Sequence, residues 1–188
     1  MGRWEPNARE RLVAAAVDLF AEQGYDSTTV SGIAERAGLT KTTFFRHFRD
    51  KREVLFAGQE LHSRILADAI AAAPPSATPL QAVGEALDAL AGSFTDGQQV
   101  FAGRLLAVIA ANEELRERAA YKSAVLVGAM TEALLKRGAP DAVASLAAEL
   151  GVRAFHSGFG RWAELDGSLP DLVREAFDEW RAASAALG

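Results

Sequence analysis

The chain has 188 residues, 49% of them hydrophobic, with 20 Lys and Arg against 25 Asp and Glu and no cysteine. Such a composition can bury a sizeable core in one or two domains, and it excludes a disulfide framework, thiolate metal sites and sulfur redox chemistry. The charge is uneven: residues 1–53 carry nine Lys or Arg and eight Asp or Glu, which leaves eleven and seventeen for the remainder, so the acidity belongs to the C-terminal part.

Charges at Arg3, Glu5, Arg9, Glu10, Arg11, Asp18 and Glu22 leave no clean apolar region for a signal peptide. The most apolar run, VFAGRLLAVIAA at 100–111, contains Arg104 and falls short of the roughly 20 residues a spanning helix needs. No membrane crossing is expected, and the absence of cysteine suits a cytoplasmic location.

Alanine, leucine and recurrent helix starts predict an all-α fold of about nine helices. Asn7 and Glu10 can form a capping box, after which Leu12, Val13, Ala16, Leu19 and Phe20 make one apolar face that stops at Gly24. Thr29 can cap a short second helix with Val30, Ile33, Ala34 and Ala37 inward, and Gly38 supplies a left-handed stop. Thr40 caps the third, with Leu39 positioned to staple onto Phe44. Phe44 and Phe48 lie four apart and face inward, which puts Lys41, Thr42, Phe45 and Arg46 outward. Asp50 and Glu53 predict another capping box, opening a continuous helix from Lys51 to about Ala72. The segment APPSATP then reads as a linker, and further helices start near Thr78, Gln98, Asn112, Pro140 and Ser168.

Between Arg36 and Arg52 six basic residues stand against the single acid Asp50, a local charge of +5 in an acidic protein. Two short helices joined by a glycine-containing turn, the second bearing Lys, Thr and Arg outward, are what a helix-turn-helix needs to place a recognition helix in the major groove. Hydroxyls of Thr29, Thr42 and Thr43 and the amides at helix starts can bind phosphate oxygens. Lys41 and Arg46 can reach guanine O6 and N7 or phosphate, and Lys51 offers a further phosphate clamp. An enzyme reading finds no machinery: His47, His62 and His156 lack metal-ligand spacing, and neither G-x-S-x-G nor G-x-G-x-x-G occurs. A helical adaptor that binds only protein would leave the outward Lys41, Thr42 and Arg46 unexplained.

The stretch GYDSTTVSGIAERAGLTKTTFFRHFRDKREVLF resembles the N-terminal domain of the TetR family, and the likeness runs over residues 8–57. The resemblance implies double-stranded DNA as partner, with phosphate contacts from Thr29, Thr43, His47 and Lys51 and base or groove-edge contacts from Ser31, Lys41, Thr42 and Arg46. Phe45 stands where the family usually has tyrosine, so a phosphate-binding phenol is replaced by an apolar contact. It also implies a homodimer on a palindromic operator, acting as a repressor released by an unidentified small molecule, with an activator or an effector-free regulator as the alternative; no cofactor and no metal are expected.

Residues 1–53 are accordingly read as the DNA-binding domain, connected through helix four at 51–72, and 54–188 as a helical ligand-binding and dimerisation domain. The candidate ligand lining is Phe94, Phe101, Leu105 and Tyr121, with Ile109 and Met130 beside them; Arg104 reads either as a cation for an anionic effector or as a salt-bridged or snorkelling surface side chain. In the last two helices, aromatic stripes through Val152, Phe155, Phe159 and Trp162 and through Val173, Phe177 and Trp180 accompany a small-residue stripe of Ala147, Gly151, Ala154 and Gly158. Gly151, Phe155, Gly158, Phe159, Trp162, Phe177 and Trp180 are therefore the expected dimer interface, because bare helix surface allows close approach of a second helix.

Overall fold

The computed structural model describes residues 7–187, so Arg3 and Glu5 lie outside the described residues. Among those described there are nine α-helices and no strand: α1 (Ala8–Gln23), α2 (Val30–Arg36), α3 (Lys41–His47), α4 (Gln59–Ala72), α5 (Pro79–Ala91), α6 (Asp96–Ala111), α7 (Glu113–Lys136), α8 (Asp141–Glu164) and α9 (Leu169–Ala185). No helix among them is long and apolar enough to cross a membrane.

Most helix starts follow the expected side-chain chemistry. Thr78 and Gln81 form a full capping box at α5, Asn112 Oδ1 accepts from the Leu115 amide at α7, and Ser168 Oγ accepts from the Asp171 amide at α9. Two starts differ. Asn7 takes a left-handed backbone (φ 74°) and makes no side-chain cap bond, because capping requires an extended residue at that position. Helix four is not continuous from Lys51. Asp50 Oδ1 does accept from the amides of Arg52 (2.9 Å) and Glu53 (3.1 Å), but the Glu53 carboxylate pairs with Arg118 and does not return to Asp50. A single 3₁₀ turn, Glu53–Phe56, follows. Gly58, at φ 98°, then breaks the path, and α4 begins only at Gln59.

The chain divides into two compact units. One gathers the described residues up to Ala57 together with Gly103–Ala119, the end of α6 and the start of α7. Its core joins Leu12, Val17 and Phe20 of α1 to Ile33, Phe44, Phe48, Val54 and Leu55, and also to Val108 and the fully buried Leu115. Ion pairs Arg104–Asp18 (2.6 Å), Arg52–Glu114 (2.9 Å) and Arg118–Glu53 tie the same α6–α7 corner to this unit.

The other unit comprises Gly58–Ala102 and the described residues from Ala120 onward. Its core is built from Leu66 and Ile70 of α4, Val83, Leu87 and Leu90 of α5, Met130 and Leu134 of α7, and the inward faces of α8 and α9. Arg137 closes the α4–α5 linker by donating to the carbonyls of Ala73 and Pro74, both at 2.7 Å. The small-residue stripe on α8 is consumed inside this unit. A Cβ on Gly158 would lie 2.6 Å from the Val173 Cα of α9, and one on Gly151 would lie 2.6 Å from Val83 Cγ1 of α5. Gly151, Phe155, Gly158, Trp162 and Phe177 are all buried, and Phe159 and Trp180 are half-buried. Within the chain, the close helix approach that Gly151 and Gly158 permit is made by α5 and α9.

Candidate nucleic-acid interface

The geometry of α2, turn and α3 is fixed by a few local bonds. Thr29 is extended and its Oγ1 accepts from the Gly32 amide (3.0 Å), which starts α2. At the other end Gly38, at φ 65°, donates to Glu35 O, and the Leu39 amide returns to Ala34 O at 2.8 Å, turning the chain sharply toward α3. Thr40 then accepts from the Thr43 amide (3.1 Å), with the two hydroxyls 2.9 Å apart. The Arg11 guanidinium donates to the carbonyl of Ala37, holding α1 to the turn.

On α3 the two faces separate cleanly. Phe44 is wholly buried and its ring lies 5.6 Å from that of Phe48, so this pair anchors the helix. Lys41, Thr42, Phe45, Arg46 and His47 are exposed, as are Thr29 and Ser31, while Thr43 is half-buried. Phe45 is 50% exposed, braced edge-on against Phe44 at 5.6 Å, with the Lys41 ammonium 5.9 Å from its centroid. Partial desolvation, then the neighbouring charges of Arg46 and Arg9, hold the His47 imidazole below the usual histidine range.

The local charge of +5 is smaller as the fold presents it. Arg36 forms a two-point pair with Glu22 (3.0 and 2.7 Å), and Arg52 is held between Asp50 and Glu114. Lys51 points its ammonium at the carbonyls of Tyr25 (2.7 Å), Thr28 (3.2 Å) and Asp26 (3.5 Å), and sits 4.1 Å from the Tyr25 ring centroid. Its ammonium therefore closes the α1–α2 turn. Burial pushes the Tyr25 phenol up to about 12, which keeps the ring neutral under that cation. Lys41, Arg46 and Arg49 remain without an ion pair among the described residues, and they are the cations that α3 and its exit offer to solvent.

The turn before α2 also rests on Thr28, a residue given no role from sequence. It is 1% exposed, donates from Oγ1 to Gly24 O (2.8 Å) and accepts from Gln23 Nε2 (3.1 Å). The only sequence signal for it was the hydroxyl pair Thr28–Thr29 ahead of a helix; which of the two caps and which is buried is decided by the chain reversal at Gly24.

Residues 12–57 match the model of the bacterial regulatory proteins of the tetR family. Over these residues the chain is similar to the TetR family. Members of this family are DNA-binding transcriptional regulators and not enzymes. Among curated relatives, the HTH-type transcriptional regulator TcmR of Streptomyces glaucescens is 38% identical over 90 residues, 48% of this chain and 40% of TcmR. The chain thus spans two fifths of that relative's length. Over the whole fold, a putative TetR-family regulator from Syntrophomonas wolfei superposes with a TM-score of 0.62 at 14% identity, covering 95% of both chains. SmeT in its complex with triclosan gives 0.58 at 23% identity, covering 94% of this chain and 90% of that one. The helical C-terminal region is therefore of TetR type in fold.

The candidate effector residues do not form one lining. Arg104 and Leu105 belong to the unit that holds the helix-turn-helix, where Ile109 also packs on the core and Arg104 is paired with Asp18. Tyr121 is 58% exposed, and Met130 is wholly buried in the core of the other unit. Phe101 is half-buried in that unit. Phe94 is the exception. Its ring lies 5.3 Å from His62, 5.7 Å from Phe159, 6.0 Å from Phe155 and 6.2 Å from Trp162, an aromatic cluster between α4 and α8.

Proposed function

We propose that this chain is a TetR-type transcriptional regulator that binds a palindromic operator in double-stranded DNA as a homodimer, in the cytoplasm, and represses until a small molecule releases it. The observation that carries the reading is the outward face of α3, where Lys41, Thr42, Phe45 and Arg46 stand exposed on a helix locked from behind by Phe44 and Phe48. Lys and Arg on such a face supply phosphate attraction and guanine contacts, Thr42 a hydroxyl, and Phe45 an apolar surface suited to a thymine methyl. Repression requires only that this bound protein occupy a promoter.

The effector is read as a small, largely apolar molecule that enters the aromatic cluster around Phe94. The complex of the similarly folded SmeT with triclosan supports a ligand in this fold. Coupling to DNA is carried by α6 and α7, because each helix has residues in both compact units, whereas the break at Gly58 removes the continuous α4 rod. An effector that lowers DNA affinity about tenfold is itself weakened tenfold by operator DNA, a coupling of roughly 1.4 kcal/mol.

The test is selection of binding sites from random duplexes by the wild type and by Arg46→Ala and Lys41→Ala. The wild type selects an inverted repeat, and each variant relaxes the preference at one position per half-site, at a cost of about 1–3 kcal/mol for a lost base contact. Identical selected sequences for all three proteins would reject α3 as the reading element.

A further inference from the structure

Phe45 is the large apolar side chain that α3 sends outward. It is 50% exposed, on a helix whose inward side is already filled by Phe44 and Phe48. Its ring is nevertheless held in one orientation: edge-on to Phe44, with centroids 5.6 Å apart and planes at 85°, and with the Lys41 ammonium 5.9 Å from its centroid. Lys41 and Phe45 lie one turn apart and are both exposed. Neither Lys41 nor Arg46 has an ion pair among the described residues. An apolar ring fixed beside two cations that carry no acidic partner fits a polyanion that presents an apolar group at a set place.

We propose that Phe45 is a specificity-determining residue that reads the 5-methyl group of a thymine in the major groove, one or two base steps from the base that Lys41 contacts. The inference rests on the DNA reading above and gives one side chain the choice of one base. Duplex DNA is a polyanion, and the thymine methyl is the apolar group on the major-groove edge of its bases. A phenylalanine ring has no donor or acceptor, so it makes no hydrogen bond to a phosphate or to a polar base edge. Against cytosine it would cover the N4 amino donor without replacing that donor's hydrogen bond to water, which favours thymine further. The 5.9 Å between ammonium and ring spans between one and two base steps of about 3.4 Å, which sets the separation of the two bases read. Because the ring is already braced, little rotamer freedom is lost when the methyl covers it.

The test is equilibrium binding of the full chain, at constant salt, to its selected inverted-repeat duplex with thymines replaced by uracil, one symmetric pair of positions at a time. Uracil differs from thymine only in lacking the methyl. A buried methyl corresponds to about fourfold in affinity, so its loss from both half-sites should weaken the wild type about fifteenfold at one position per half-site. Phe45→Ala should bind the thymine and uracil duplexes equally. At the same position cytosine should bind more weakly than thymine, and 5-methylcytosine should recover about fourfold per half-site over cytosine. Wild-type affinity unchanged by uracil at every position, a selected half-site without thymine, or the same uracil sensitivity in Phe45→Ala overturns the proposal while leaving the regulator reading intact. A wild type that selects no inverted repeat overturns both. The uracil arm alters only the DNA, so it decides the matter even if the variant folds poorly.

Discussion

Lys51 shows how a residue of the right charge at the right place can serve the fold before it serves DNA. Its three donors face three carbonyls of the turn between α1 and α2, and its charge rests on the Tyr25 ring. Lys51→Ala should lower the stability of the helix-turn-helix unit by about 2 kcal/mol, the cost of leaving carbonyls without a charged donor and losing a cation–π contact. Thermal or urea unfolding measures it, and a variant as stable as wild type would show that the ammonium is free for phosphate. Arg104 makes the same point. A lone cation in an apolar run reads as a ligand contact or a salt bridge, and the carboxylate it meets, Asp18, is 86 residues away and invisible to any local pattern. Caps were legible because their partners lie three residues on; ion pairs that close across the chain were not.

At the scale of elements, hydrophobic spacing identified α2, α3 and their turn, since Ile33, Ala34, Phe44 and Phe48 are buried where the periodicity puts them. It could not say against what a face packs. The stripe through Gly151 and Gly158 signals close helix approach in either case, whether the approaching helix belongs to the same chain or to another, and here it is the chain's own α5 and α9. Gly158→Ala should therefore destabilise the monomer fold, by about 1–3 kcal/mol, because the added methyl meets Val173 backbone that cannot rotate aside. Gly128→Ala on α7, where a Cβ meets nothing within 4 Å, should instead stabilise by about 0.5–1 kcal/mol through helix propensity. Melting temperatures that move the same way for both variants would contradict this packing. The single 3₁₀ turn ahead of Gly58 escaped the sequence reading for a related reason: Asp50 begins a helix correctly, but Glu53 is drawn to Arg118, 65 residues on.

On the scale of the whole molecule, an acidic chain carries a small basic surface on its helix-turn-helix. Three of the six cations between Arg36 and Arg52 are neutralised or turned inward, leaving Lys41, Arg46 and Arg49 outward. The end of α6 and the start of α7 share the core of the helix-turn-helix unit through Val108 and Leu115, an organisation that no linear domain boundary near residue 53 anticipates. In the proposed regulator a pair of these surfaces holds one duplex largely through phosphate charge. The most direct test is the affinity for a selected inverted-repeat duplex measured as a function of salt. Six outward cations predict that log affinity falls against log salt with a slope of about −5, at one protein dimer per duplex. An affinity that does not change with salt would contradict it.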